Sequence, residues 1–222
     1  MNFFLDTEFA ETGGEKRPTI DLISIGIVAE DGREFYAESE EFDLANCDDW
    51  VKKHVVAKLG PANERMSRVE LRNRLLSFLG KEPVIWAYYP SYDWVAFCWL
   101  FGKMIDLPKG YPMFPMDLQQ WWVQLGRPPG VKPPDPTDAH NALADARWTR
   151  DLHANLVAFN EAIDEVKKWD NKQLHKILDE ISPRENEIDS VMSLLNWART
   201  NHDPDSAARV WLERVVAQAT RL

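Results

Sequence analysis

The stretch Asn2-Phe3-Phe4-Leu5-Asp6-Thr7-Glu8-Phe9 decides how this chain reads, because an apolar run at its start ends in two acids one residue apart. Phe3, Phe4 and Leu5 have the character of a buried strand, and Phe9 resumes it after the acids. Side chains on a strand repeat every two residues, so Asp6 and Glu8 point to one face and can hold a cation between them. Hard divalent cations such as Mg2+ or Mn2+ take oxygen ligands, which carboxylates supply. An isolated Asp-x-Glu is ordinarily solvated charge at a strand end. The apolar flanks set this pair apart.

Two further segments carry matching chemistry. Pro83-Val84-Ile85-Trp86-Ala87-Tyr88-Tyr89-Pro90-Ser91-Tyr92-Asp93-Trp94-Val95-Ala96-Phe97 reads as a buried strand, a Pro-Ser turn and an apolar helix start. Asp93 thus falls near a helix N-terminus at the carboxyl end of a strand, a place where, taken alone, it would read as a cap. Thr137-Asp138-Ala139-His140-Asn141-Ala142-Leu143-Ala144-Asp145-Ala146-Arg147 opens a helix that continues through Leu152, Leu156 and Phe159 at helical spacing. Asp145 is fixed inside that helix and His140 lies at its beginning. The Pro-rich approach Arg127-Pro128-Pro129-Gly130-Val131-Lys132-Pro133-Pro134-Asp135-Pro136 suits an irregular loop that could let His140 swing over a substrate. A lone histidine there would read as a capping or surface residue.

In order, Phe4-Leu5-Asp6-Thr7-Glu8-Phe9, Ser91-Tyr92-Asp93 and His140-Asn141-Ala142-Leu143-Ala144-Asp145-Ala146 resemble the three motifs of the DEDDh family of 3'-5' exonucleases. Within that family the chain looks most like the polyadenylate-specific exoribonuclease branch, ribonuclease AS. Asp-Thr-Glu-Phe is followed by Asp21-Leu22-Ile23-Ser24-Ile25-Gly26-Ile27-Val28-Ala29-Glu30-Asp31-Gly32-Arg33-Glu34-Phe35-Tyr36, and Trp86-Ala87 precedes Tyr92-Asp93. Many members of the family carry His-Asn five and four places before the second-motif aspartate, where this chain has Tyr88 and Tyr89.

The resemblance implies a ribonuclease H-like α/β fold, a mixed sheet flanked by helices. It implies two Mg2+ or Mn2+ ions held by Asp6, Glu8, Asp93 and Asp145 across a scissile phosphate, with His140 as general base. The expected reaction is hydrolysis of the 3'-terminal phosphodiester of single-stranded RNA, with a preference for poly(A) and release of nucleoside 5'-monophosphates. A homodimer is expected on the same ground. Phe9 and Tyr88 are candidate substrate contacts, since bases need aromatic faces for stacking, and Thr7, between the two acids, is a third candidate. The alternatives are a 3'-5' DNA exonuclease of proofreading or repair type and a catalytically silent nucleic-acid-binding module. An acid-rich structural calcium site fits poorly, because the acids come from distant segments and a histidine accompanies them.

Composition suits a cytoplasmic enzyme, with 45% apolar residues and no stretch approaching the length that spans a bilayer. The N-terminal apolar run lacks a basic segment before it and is broken by Asp6 and Glu8. Cys47 and Cys98 have no metal-knuckle spacing and are expected as buried free thiols. A net charge of −10 argues against a long basic groove, but two divalent cations would cancel the four acids locally.

Patterning gives strands near residues 2–8, 20–29 and 33–38, with Glu30-Asp31-Gly32 as a hairpin turn. A helix is expected at 64–79, a strand at 83–88, a helix at 92–105 and a further segment at 116–125. The exonuclease domain is assigned to residues 1–160 and a C-terminal helical extension to 161–222, with helices near 187–200 and 206–219. The extension reads as a brace on the catalytic domain or as a dimer or partner surface.

Overall fold

The N-terminal apolar run forms the central strand of a five-stranded sheet in the computed structural model, which describes residues 1–13, 17–128 and 130–166. β1 (Asn2–Thr12) pairs antiparallel with β2 (Thr19–Ala29), which pairs antiparallel with β3 (Glu34–Glu38). On its other side β1 runs parallel to β4 (Val84–Ala87), and β4 to the short β5 (Met116–Asp117), giving the order β3-β2-β1-β4-β5. The fold is the expected α/β architecture, a mixed sheet flanked by helices and consistent with a ribonuclease H-like exonuclease.

The two faces of β1 are covered by different helices. Phe3 and Leu5 join Ile25, Ile27, Ile85 and Ala87 in a core that includes Leu71, Leu75 and Leu79 of α2 (Arg68–Leu79) and Trp94 and Phe97 of α3 (Ser91–Phe101). Phe4, on the opposite face, packs with Val28, Leu143 and Ala146, the last two from α5 (Ala142–Val166). Period-two alternation therefore puts Asp6 and Glu8 on the α5 face and Thr7 on the α3 face.

Several boundaries differ from the patterned ones for local reasons. Helix α2 starts at Arg68 because Ser67 caps it, its side chain accepting from Glu70 N at 3.3 Å. α3 ends at Phe101 because Gly102, at φ 119, turns the chain away. The 116–125 segment splits into β5 and α4 (Leu118–Gln124). α1 (Asp49–His54) was not expected; it is only six residues long, too short for periodicity to reveal. His140 lies not in the first turn of α5 but two residues ahead of it, since Asn141 is the cap and accepts from Ala144 N at 3.1 Å.

One compact unit consists of Met1–Trp121 and Pro134–Asp151, and it contains the whole sheet. Trp122–Pro133 groups with the described residues from 152 to 166; there Asn155 Nδ2 donates to the Val131 carbonyl at 2.8 Å. The expected helices at 187–200 and 206–219, like the rest of the extension beyond Val166, lie outside the described residues. Cys47 and Cys98 are buried free thiols. Among the described residues no helix is long and apolar enough to cross a membrane.

Candidate active site

The ladder between β1 and β4 stops at Leu5 and Ala87, while β1 runs on to Thr12. Thr7 thus reaches past the end of β4, and its backbone N–H needs a partner that the strand no longer supplies. Asp93, in the first turn of α3, provides it: Asp93 Oδ1 accepts from Thr7 N at 2.9 Å and from Thr7 Oγ1 at 2.7 Å. Pro90 stands at the N-cap of α3, so Asp93 is not the N-cap that its sequence position suggested; it ties the helix start to the central strand. The Thr7 hydroxyl, a candidate substrate contact, donates to this carboxylate.

Asp145 arrives from the other face by a close approach. Gly26 lies opposite Asp6 in the ladder, and a Cβ on it would stand 2.2 Å from the Ala142 carbonyl oxygen. Only glycine lets the first turn of α5 settle on β2 beside Asp6. One turn into the helix, Asp145 Oδ2 accepts from the His140 backbone N–H at 2.8 Å. His140 itself is left-handed, at φ 66, and its ring meets the Trp50 ring edge-on with centroids 4.8 Å apart.

Asp6, Glu8, Asp93, His140 and Asp145 all line one cavity of about 440 Å³. Glu8, His140 and Asp145 each offer a donor atom, all within 4.8 Å of one another. The carboxylates are destabilised as anions. Burial, then Asp93, Glu8 and Asp145, hold Asp6 well above the ordinary aspartate range. Burial, then Asp145 and Asp93, push Glu8 up to about 8. Asp93 is raised by burial against the opposing Thr7 hydrogen bonds, and Asp145 by burial against its bond to His140 N–H. Lys58 counters both Glu8 and Asp145. Four clustered carboxylates with so little compensation make a donor set that fits hard divalent cations, which relieve the repulsion when bound.

The other substrate candidates also line the cavity. Phe9 follows a register shift between Glu8 and Phe9 and packs edge-on against Tyr92 at 5.8 Å. Tyr88 packs against Trp148 at 5.0 Å and Tyr89 at 4.6 Å. Sequence reading missed three contributors: Gly26, Trp50 and Lys58. A glycine inside the run Ile25-Gly26-Ile27 was the available signal of a close backbone approach. Asp48, whose side chain accepts from Val51 N at 2.7 Å, was the available signal of a helix start that places Trp50 in the cavity. Nothing local marks Lys58.

Residues 1–157 match the family described as the 3'-5' exoribonuclease Rv2179c-like domain. Two relatives from Mycobacterium tuberculosis are 46% identical over 153 residues, 66% of this chain and 88% of theirs. They are named 3'-5' exoribonuclease Rv2179c, in strain H37Rv, and 3'-5' exoribonuclease MT2234.1, in strain CDC 1551. The matched span takes in every residue that lines the cavity, and the chain belongs to the Rv2179c-like 3'-5' exoribonuclease domain family.

Proposed function

We propose that this chain is a metal-dependent 3'-5' exoribonuclease of the DEDDh type, trimming single-stranded RNA from its 3' end with a preference for poly(A). The observation that carries the reading is the convergence of four mutually repelling carboxylates and a histidine in one cavity. Asp6, Glu8, Asp93 and Asp145 would hold the cations. Bound there, two divalent ions supply Lewis-acid stabilisation of the scissile phosphate and make water a stronger nucleophile.

The rest falls to the chain's own side chains. His140, beside Glu8 and Asp145, takes the proton of the attacking water and contributes about 10² to 10⁴ in rate. Thr7 and the His140 amide each fix one oxygen of a carboxylate. Phe9 and Tyr88 offer aromatic faces to the terminal bases, joined by the half-exposed Trp50. The water oxygen bonds to phosphorus as the bond from phosphorus to the 3'-oxygen breaks; a nucleoside 5'-monophosphate leaves, and the shortened RNA takes a proton from solvent to end in a 3'-hydroxyl. Preference for adenine rests on the likeness to ribonuclease AS, and a homodimer rests on the same likeness; light scattering over a concentration series tests the latter.

The deciding experiment follows 5'-labelled oligo(A), oligo(U), mixed RNA and oligo(dA) with Mg2+ or Mn2+ at single-nucleotide resolution, with EDTA and Asp6→Ala controls. A metal-dependent ladder from the 3' end, fastest on oligo(A), is expected. Fastest trimming of oligo(dA) would move the reading to a DNA exonuclease, and no cleavage by folded, metal-loaded protein would move it to a binding module.

A further inference from the structure

The stretch 49–58 reaches the histidine from outside the three sequence motifs. Lys58 Nζ pairs with Asp138 Oδ1 at 3.0 Å and also donates to the Ala139 carbonyl. These two partners immediately precede His140. Lysine suits the task, since its ammonium is a compact charge with three donors that can serve a carboxylate and a carbonyl together. The Asp138 side chain is 59% exposed, and so open an ion pair adds little to overall stability; its effect is local.

That locality matters because His140 holds a backbone conformation, φ 66, which a non-glycine residue keeps only when its surroundings over-determine it. Beside the His54 ring 6.4 Å away, three surroundings do so here. The Asp145 carboxylate takes the His140 amide, the Trp50 ring abuts the imidazole, and Lys58 ties down the two residues before it. Trp50 and Lys58 come from the same short stretch.

We infer that Lys58 is a positioning residue for His140: by tethering Asp138 and Ala139 it holds the imidazole over Glu8 and Asp145. The inference rests on the reading of His140 as general base. It adds a restraint to the loop that could let His140 swing over a substrate. Lys58 touches none of the reacting atoms in this scheme; its charge also eases Glu8 and Asp145, and Asp138→Asn, which keeps that charge, isolates the tether.

The test combines Lys58→Met, Lys58→Arg and Asp138→Asn with His140→Ala, using Mg2+-dependent trimming of oligo(A) and amide hydrogen exchange across residues 138–141 in metal-free protein. Lys58→Met should lower kcat about tenfold to a hundredfold with KM nearly unchanged. Lys58→Arg should recover part of the loss, and exchange at 138–141 should quicken in Lys58→Met. In a His140→Ala background Asp138→Asn, which keeps the Lys58 charge beside Glu8 and Asp145, should add no further loss, the non-additivity expected of residues that act as one unit. An equal loss in both backgrounds, a change in KM alone, or unaltered exchange would overturn the inference. Should Lys58→Met fold poorly, Asp138→Asn reads the same tether from its other end. Absence of trimming by the wild-type protein would count against the proposed function instead, and the exchange arm would still decide whether Lys58 holds the loop.

Discussion

Asp6 and Glu8 ride on the central strand of the sheet, flanked by Phe3, Phe4 and Leu5 at 3% exposure or less, whereas His140 stands in a loop held by a lysine tether, a ring contact and one amide hydrogen bond. The carboxylate side draws its geometry from the core. The histidine side draws it from a few contacts, one with Asp145 five residues on and the others with Trp50 and Lys58 far away in sequence. The first arrangement can tolerate stored electrostatic repulsion, because the sheet has no cheap way to relax. The second rests on fewer contacts and surrounds the group proposed to take the proton.

The largest effect should come from removing repulsion on the carboxylate side. Asp6→Asn is expected to cut trimming by at least about 10³-fold, since it deletes a charge that the proposed cations would need. It should also stabilise the metal-free protein at high pH. The sign follows from the raised values: the folded state keeps protons that the unfolded chain releases, so the cluster's contribution is full below the ordinary carboxyl range and is lost as pH rises. For Glu8 the window runs from 4.5 to about 8. Calorimetry without metal should therefore show Tm higher in Asp6→Asn than in wild type at pH 8, with the gap closing at pH 5. A lower Tm at pH 8 would mean that the sheet does not hold the acids under strain.

Gly26→Ala comes next and attacks the junction of the two sides. Its Cβ would meet Ala142 backbone atoms, which cannot yield as a flexible side chain can. α5 must shift, carrying Asp145 and the residue bonded to it, His140. Activity should fall about 10²-fold, with a stability loss of about 1–3 kcal/mol seen in urea melts. Activity within a few-fold of wild type would show that the site does not depend on where α5 is seated.

The same contrast separates what the amino-acid sequence reveals of the site from what only the folded chain does. Asp6, Glu8 and Asp93 are legible because strand alternation and a strand-turn-helix boundary are written in adjacent residues. Asp145 is legible from helical spacing. The link from Thr7 to Asp93 spans 86 residues and arises because β4 stops short of β1, a fact of pairing length that no local pattern carries. Lys58 and Ala139 lie 81 residues apart and meet only once the sheet has formed. α1 is hidden by brevity, and Trp50 with it.

Thr7→Val should give a smaller loss. It keeps the shape and the backbone N–H bond to Asp93 but deletes the 2.7 Å hydroxyl bond, leaving that carboxylate oriented by backbone donors alone. About a tenfold fall in kcat is expected, with weaker cation affinity by calorimetric titration, the order of loss usual when a ligand's supporting hydrogen bond is removed. Thr7→Ser should restore both. A change in KM for RNA without any change in cation binding would instead make Thr7 the substrate contact that its sequence position suggested.

The smallest effect separates the two sides by kinetic signature rather than size. Phe9 is braced by Tyr92 on the strand side and touches no catalytic group among its described ring contacts, so Phe9→Ala should raise KM for oligo(A) and leave kcat and cation affinity alone. Stacking of about 1–3 kcal/mol per base sets the ceiling, and a braced ring among several aromatic neighbours should fall near the lower end, about fivefold. Trp50 faces the same cavity from the loop side but also abuts the His140 ring, so Trp50→Ala should raise KM and lower kcat together. Steady-state kinetics on both variants would expose the contrast directly. Equal KM-only effects would mean that the imidazole does not need the Trp50 ring, leaving the Asp145 carboxylate and the Lys58 tether to set its place.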